Sequence, residues 1–582
     1  MDQSHYETKI KCFEAYAQQL AQDEEFISRN PLYRLASLFA PMDSFKYMMK
    51  VLTSNPHLLA ADANIRTYRT FVETNGHCFS DQKYHDEPKC SKRAAEVRRL
   101  GNQMYSKKQF GIALNKYNES ICAAPTDSED LAIGYANRSA IYFEKGLHDV
   151  ALVNIALAKK HNYPERLMPK LLIRETNCRS MLDDQSVPLV GGNLEPNPRI
   201  PCLAKGIYAR QHPKQGPIMV AKRQFKAGDV ILREKPMIAC VNWDNVFARC
   251  NYCISTNLSH FIPCPNCSTA MFCDEECMRK GQKLHRFECG ICAVTSKLND
   301  FWLGPRLFFH GLSLFNDDVS KMMKFCKKVR GSDSFFNLDY SNYNPVEELR
   351  TFLTTKSRRT EAPLYDNILQ FNAGIFYEMY MKNPLVQSLI TTEEQKDFMQ
   401  QCFVDYQVQK RNLAFRQTSN GHLYPIASCF GHSCDPNTVL LEEYGDELRM
   451  VVLRPIRKGE QITFSYGPLF DQEPAAHRYD LNSLGFDCVC DFCDEQKRYE
   501  WLARAKQTSC IDATHWAVVQ KILTDEDMSD ADKMNALQQF VQRYGHSHPQ
   551  EDFARALLIY REALSDVHSA QIELMQRRKI CG

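Results

Sequence analysis

The chain lacks an excess of charge of either sign. Its 582 residues carry 72 Lys and Arg against 70 Asp and Glu, a formal net charge of +2. A balance this even exerts no global pull on nucleic acid or anionic membrane. No apolar run approaches the ~18 residues that a membrane span needs. Met1 to Cys12 is polar, and no apolar segment of a secretory signal follows it. Apolar residues at 44% and charged residues at 24% are ordinary globular usage, which excludes a disordered, collagen-like or coiled-coil chain. The length suggests about four domains at roughly 150 residues each. Cysteine is what the chain has in number, 24 residues in all. At about 4% of the chain they are too dilute for a disulfide mini-scaffold, yet they cluster. In a soluble, reducing location, the cytoplasm and nucleus, such clusters mean metal more often than disulfide.

Residues 1–91 carry apolar residues at helical spacing from Tyr6 to Leu52, broken at Pro31 and Pro41. They read as a helical cap packed on the next unit. Residues 92–182 hold a repeat. Gly101, Ala113, Tyr117, Ser120 and Pro125 follow the small/large pattern of a tetratricopeptide helix pair. A second copy runs through Asn137, Tyr142, Gly146, Ala151, Ala158 and Pro164, and a third A-helix from Lys170 to Leu182 would cap the array. Stacked pairs of this kind leave a concave face for peptides. Arg98 and Asn102, Asn137, then Lys170 and Arg174 fall on successive A-helices. This set resembles the two-carboxylate clamp by which tetratricopeptide domains grip the acidic C-terminal tail of heat-shock chaperones. A solvated basic face is the plainer reading of the same residues.

Residues 183–198 read as a linker. Residues 199–249 turn β-like at Ile218–Ala221, Val230–Leu232 and Met237–Val241, with a Lys226–Asp229 turn joining the first two into a small sheet. Residues 250–289 then bring Cys250, Cys253, Cys264, Cys267, Cys273, Cys277, His285 and Cys289. Eight S/N ligands make two tetrahedral zinc sites, and a segment this short needs metal to fold. Residues 290–420 read as mostly helical. Residues 421–468 hold Gly431-His432-Ser433-Cys434-Asp435-Pro436-Asn437 and end near Tyr466. Residues 469–495 hold Cys488-x-Cys490-x2-Cys493, three thiolates that need a fourth ligand, for which Cys434 is the obvious candidate. Residues 496–582 return to helical patterning.

The finger spacing resembles the MYND zinc finger, and the later motifs together resemble the SET domain of protein-lysine methyltransferases. SET strands, an inserted finger, a helical insert, the SET core and a cysteine post-SET segment follow the order of the SMYD family. The repeats point to its tetratricopeptide-bearing fourth subgroup. The resemblance implies an α+β fold: a β-rich SET core split by a MYND finger and a helical insert, with N-terminal tetratricopeptide helices and a helical C-terminal region. It implies interleaved zinc sites, Cys250, Cys253, Cys273 and Cys277 on one ion, and Cys264, Cys267, His285 and Cys289 on the other. With the post-SET site, three Zn²⁺ are expected. It implies S-adenosylmethionine as cofactor, held near Gly216, Asn372, Gly431, His432, Tyr466 and Phe486. Tyr466 would line the methyl-transfer channel as the catalytic residue. It also implies a protein substrate, histone or not, and proline-rich or co-repressor peptides on the finger. No membrane and no sequence-specific nucleic acid is expected as a partner.

The chemistry suits these residue types. Methyl transfer from a sulfonium to an amine is an in-line displacement in which positioning dominates, and electron-rich groups such as Tyr466 suit the sulfonium charge. Three positions depart from the family pattern. Gly431 replaces the motif's Asn, Ile218 replaces a cofactor-loop glycine, and Leu484 replaces a tyrosine. Gly431 supplies no carboxamide. One lost charge-assisted contact of about 1.5–3 kcal/mol weakens binding about 10- to 100-fold. Two classes of function follow: a protein-lysine N-methyltransferase, or a weak or inactive SET/MYND adaptor that recruits chaperone or co-repressor partners.

Overall fold

The computed structural model describes residues 65–75, 87–182, 194–212, 216–241, 245–254, 260–292, 303–329, 338–342, 344–354, 363–413, 421–443, 447–466, 488, 490–507, 511–525 and 528–581. Helix α1 (Ile65–Asn75) is followed by α2 (Ser91–Ser106), α3 (Phe110–Ala123), α4 (Glu129–Glu144), α5 (His148–Lys160) and α6 (Met168–Ser180). Helix α2 packs on α3 and α4 on α5, and α6 closes the stack against α5. This is the order read from the repeat. Small residues set the closeness of the pairs. A Cβ on Gly101 would stand 2.6 Å from the Tyr117 ring, and one on Gly134 would stand 2.7 Å from Ile121. Helix α4 begins where Ser128 Oγ accepts the Leu131 N–H at 3.2 Å, with Glu129 and Asp130 at the positive end of the helix dipole.

The N-terminal helix does not pack where its neighbour in sequence lies. Arg69 pairs with Glu393 at 2.9 Å and Asp397 at 3.1 Å, so α1 docks on the helical insert more than 300 residues away. The expectation of a cap on the adjacent repeats is corrected for this helix; residues 1–64 lie outside the described residues.

The β elements are short. Strands β1 (Ile207–His212) and β2 (Gly216–Ala221) form an antiparallel hairpin. Then come β3 (Val230–Glu234), β4 (Ile238–Cys240), β5 (Ile262–Pro263) and β6 (Met271–Phe272). The finger helix α7 (Glu275–Glu288) follows, started by Asp274, whose carboxylate accepts the Cys277 N–H at 2.7 Å. The insert comprises α8 (Leu303–Leu314), α9 (Val319–Val329), α10 (Pro345–Thr354), α11 (Pro363–Tyr380), α12 (Pro384–Leu389) and α13 (Glu393–Leu413). Strands β7 (Gly421–Leu423), β8 (Gly431–His432), β9 (Thr438–Glu443), β10 (Glu447–Val452) and β11 (Thr463–Phe464) complete the β elements. The chain closes with α14 (Glu495–Ala505), α15 (Ala513–Thr524), α16 (Asp530–Tyr544) and α17 (Glu551–Cys581).

The sheets join distant stretches. Strand β3 pairs with β10, and β10 with β9; β4 pairs with β7; β8 runs parallel to β11. The Lys226–Asp229 turn exists, with Asp229 Oδ2 accepting the Lys226 N–H at 2.7 Å and Gly228 at φ 86°. It does not join two strands of one sheet, however. Strand β2 stays with β1, while β3 leaves for β10 about 220 residues later. The sequence reading also lacked β1.

Four large packing regions stand out among the described residues. One lies among the insert helices. A second is shared by the repeats and the finger, with Ala113, Tyr117, Ile121 and Tyr142 in the same apolar cluster as Phe261, Met271 and Phe272. A third joins β9 and β10 to the C-terminal helices, and a fourth fills the β core. In the C-terminal region α17 runs for 31 residues and packs on both β9 and α5, tying the β core to the repeats. Among the described residues, no helix is long and apolar enough to cross a membrane.

Candidate cofactor cleft and metal centres

Among the described residues, three clusters of four ligand atoms are assembled, each with its atoms within 4.8 Å of one another: Cys250, Cys253, Cys273 and Cys277; Cys264, Cys267, His285 and Cys289; Cys434, Cys488, Cys490 and Cys493. A Zn–S bond of about 2.3 Å implies a tetrahedral S···S edge of about 3.8 Å. The thiols of Cys253 and Cys273 lie 3.4 Å apart, Cys253 and Cys277 3.8 Å, Cys264 and Cys289 4.0 Å, and Cys434 and Cys493 3.5 Å. His285 Nε2 stands 3.3 Å from Cys264 and 3.6 Å from Cys267. Two Cys₄ sets and one Cys₃His set at these spacings are chemically fit for zinc.

The second finger cluster has a backing that the sequence reading missed. Cys292 lies 3.6 Å from His285 Nδ1, opposite the nitrogen that faces the ligands. Groups of this kind orient a ligating imidazole. The Cys289-x2-Cys292 spacing was the signal. Wholly buried Glu288, on the same helix, pairs with Arg306 of α8 at 3.4 Å. Arg306 also donates to the Asn251 carbonyl at 2.9 Å. The finger is thereby fixed to the insert.

The motif between Gly431 and Asn437 is built by a crossing of chain. Strand β8 lies parallel to β11, with Gly431 opposite Thr463 and His432 opposite Phe464. The buried His432 ring accepts the Tyr466 N–H through Nδ1 at 2.9 Å, and its Nε2 lies 3.2 Å from Cys434 Sγ. Tyr466 donates its hydroxyl to the Phe430 carbonyl at 2.8 Å, and its ring lies 5.1 Å from that of His432. Gly431, His432, Tyr466 and the third sulfur cluster therefore share one small region. Asn372 is buried on α11, and its Nδ2 has no hydrogen-bond partner among the described residues. A buried carboxamide nitrogen left over in this way is what a polar ligand would satisfy. Gly216 opens β2 opposite His212, and Ile218 is buried two residues on. Phe486 and Leu484 lie outside the described residues.

Two further supports were not read from the sequence. Asn437 is wholly buried and latches the motif to the strand after Lys458: Nδ2 donates to the Gln461 carbonyl at 2.8 Å, and Oδ1 accepts the Thr463 N–H at 2.9 Å. Its fixed place at the motif's end was the available signal. Asp435 accepts from Trp501 Nε1 at 2.8 Å and meets His548 Nε2 at 2.9 Å. These partners are 66 and 113 residues away, beyond any local pattern.

On the repeats, Asn102 Oδ1 accepts from both Tyr117 and Asn137, at 2.9 and 3.0 Å. Arg98 is paired with Asp130 at 2.8 Å, and Arg174 donates to the Ala136 carbonyl at 2.9 Å. Lys170 is exposed. The carboxamide pair is assembled, while the two arginines already hold partners of the chain's own.

Residues 216–467 match the family model of the SET domain. The zebrafish (Danio rerio) protein-lysine N-methyltransferase SMYD4 is 28% identical over 223 residues, 34% of this chain and 30% of that protein. The human (Homo sapiens) SMYD4 is 22% identical over 544 residues, 69% of this chain and 66% of that protein. The histone-lysine N-methyltransferase ASHR1 of Arabidopsis thaliana is 26% identical over 290 residues, 48% of this chain and 53% of that protein. The chain thus spans about a third to two thirds of the length of these relatives. Among solved structures, Rubisco LSMT bound to AdoMet aligns at 12% identity and a TM-score of 0.23, over 64% of this chain and 88% of that one.

Proposed function

We propose that the chain, which matches the SET-domain model over residues 216–467 and is similar to SMYD4 proteins, is a SMYD-family, S-adenosylmethionine-dependent protein-lysine N-methyltransferase. The observation that carries this reading is the joining of His432, Tyr466 and the Phe430 carbonyl inside the matched SET segment. S-adenosylmethionine supplies an electrophilic methyl when bound. The chain's own residues supply position. His432 is held in one orientation by the Tyr466 N–H, and the Tyr466 oxygen, its proton given to Phe430, keeps lone pairs for a positively polarised neighbour. The orphaned Asn372 amide is a second polar contact of the kind a nucleoside takes. A channel beside Tyr466 that excludes water would favour the neutral, nucleophilic form of a lysine amine.

The paired thiolates on the finger and the post-SET segment support three bound Zn²⁺. The helix pairs read as tetratricopeptide repeats that offer Asn102, Asn137 and Lys170, with Arg98 and Arg174, to the carboxylates of a chaperone tail. The finger reads as a MYND module for proline-rich or co-repressor peptides. Cysteines clustered at metal-ligand spacing suit the reducing cytoplasm and nucleus. One observation favours the adaptor reading instead, the glycine at 431 where the motif carries a carboxamide.

Titration calorimetry with S-adenosylmethionine separates the two. Binding at micromolar concentration, followed by transfer of a labelled methyl that is lost in Tyr466→Phe, is the expected result. No heat up to millimolar cofactor leaves the adaptor.

A further inference from the structure

Gly431 has a neighbour that bears on the missing carboxamide. Gln461 lies two residues before Thr463, and Thr463 is the residue opposite Gly431 in the parallel β8–β11 pair. Side chains alternate along a strand, so positions 461 and 463 share a face with position 431. The distance agrees: a Cβ on Gly431 would stand 2.9 Å from Gln461 Nε2, the only contact it would meet within 4 Å among the described residues. An asparagine carboxamide sits just beyond its own Cβ. The Gln461 amide therefore fills the space where the motif's carboxamide would begin.

The backbone under that side chain is fixed from two sides. Val220 of β2 bridges to Gln461, and Asn437 Nδ2 donates to the Gln461 carbonyl at 2.8 Å. Strand β2 opens at Gly216, so Gln461 stands between the cofactor loop and the histidine motif. We propose that Gln461 is a cofactor-contacting residue, its carboxamide replacing from β11's side the one absent at Gly431. The proposal rests on the methyltransferase reading. It turns the departure at 431 from a loss into an exchange: a side chain at 431 would push the end of Gln461 aside.

Calorimetric Kd values for S-adenosylmethionine test this across five proteins. Gln461→Ala should weaken binding about tenfold, and Gln461→Met, which keeps the length but not the amide, should match it. Gly431→Asn alone should disturb the site by pushing Gln461 aside. Gly431→Asn combined with Gln461→Ala should return the Kd to within about threefold of the parent. Binding by the parent with an unchanged Kd in both Gln461 variants overturns the role of Gln461 and leaves the enzyme reading standing. A double variant no tighter than Gln461→Ala also overturns it. Absence of binding by the parent removes both readings.

Discussion

At the residue scale, Glu234 holds the approach to the motif. It is wholly buried at the end of β3, and its two oxygens accept the N–H groups of Ile426 and Ala427, each at 2.7 Å. Burial pushes its carboxyl up to about 8, against the pull of those two donors. The folded chain therefore binds this proton more tightly than the unfolded chain, whose carboxyl titrates near its ordinary value. That contribution is complete below about pH 4 and is lost as pH rises toward 8. The difference in unfolding free energy between Glu234→Gln and the parent should shift toward the variant by about 2–5 kcal/mol between pH 5 and pH 8. Denaturant midpoints at the two pH values measure it, and a constant difference would mean that Glu234 is already ionised. The reason Glu234 went unread is physical. A single acid at a strand end looks like a surface residue until its partners arrive from residues 426 and 427.

At the element scale, legibility followed the kind of constraint. The metal clusters were readable because thiolates must come in fours, and CxxC turns announce themselves locally; which four share an ion came with the family resemblance. Strands β2, β3 and β4 were readable from apolar runs. Strand β1 was not, since half of Ile207 to His212 is polar, and its partner rather than its composition makes it a strand. The pairing of β3 with β10 was invisible because no local pattern encodes a partner about 220 residues away. The helices α2, α4 and α6 carry their own prediction. A Glu-Glu-Val-Asp peptide with a free C-terminus should bind the repeats, and Lys170→Ala with Arg174→Ala should weaken it more than tenfold. Fluorescence anisotropy with the amidated peptide as control decides it, and equal binding of the two peptides would rule out a carboxylate clamp. Arg98 must then be shared between the peptide and Asp130, which sets a ceiling on affinity.

At the scale of the whole molecule, the repeats and the finger behave as one body. Arg138 of α4 is fully buried, and burial pulls its pKa down. Its guanidinium is held by the carboxamides of Asn154 at 2.6 Å and Asn118 at 2.9 Å, and by the Phe261 carbonyl of the finger at 2.9 Å. Asn118 in turn donates to the Phe247 carbonyl at 2.7 Å. A cation kept inside by fixed dipoles needs all of them in place. Withdrawing the finger's metal should therefore unseat Arg138 and loosen the repeats as well. Far-UV circular dichroism during titration with a strong zinc chelator measures this. The helical signal lost should exceed what the 14 residues of α7 can account for. A loss confined to that amount would make the two units independent.

The Asp435 junction has a practical consequence. Its oxygens meet His548 and the Trp501 indole, and Trp501 packs edge-on against Phe492 at 5.3 Å, between Cys490 and Cys493 in sequence. An indole hydrogen-bonded to a carboxylate beside four thiols is a natural optical probe. The chain has four tryptophans, and this one, on α14, touches the histidine motif through Asp435 and the sulfur-cluster segment through Phe492. In a variant that keeps Trp501 alone, its emission would report whether those parts are still joined.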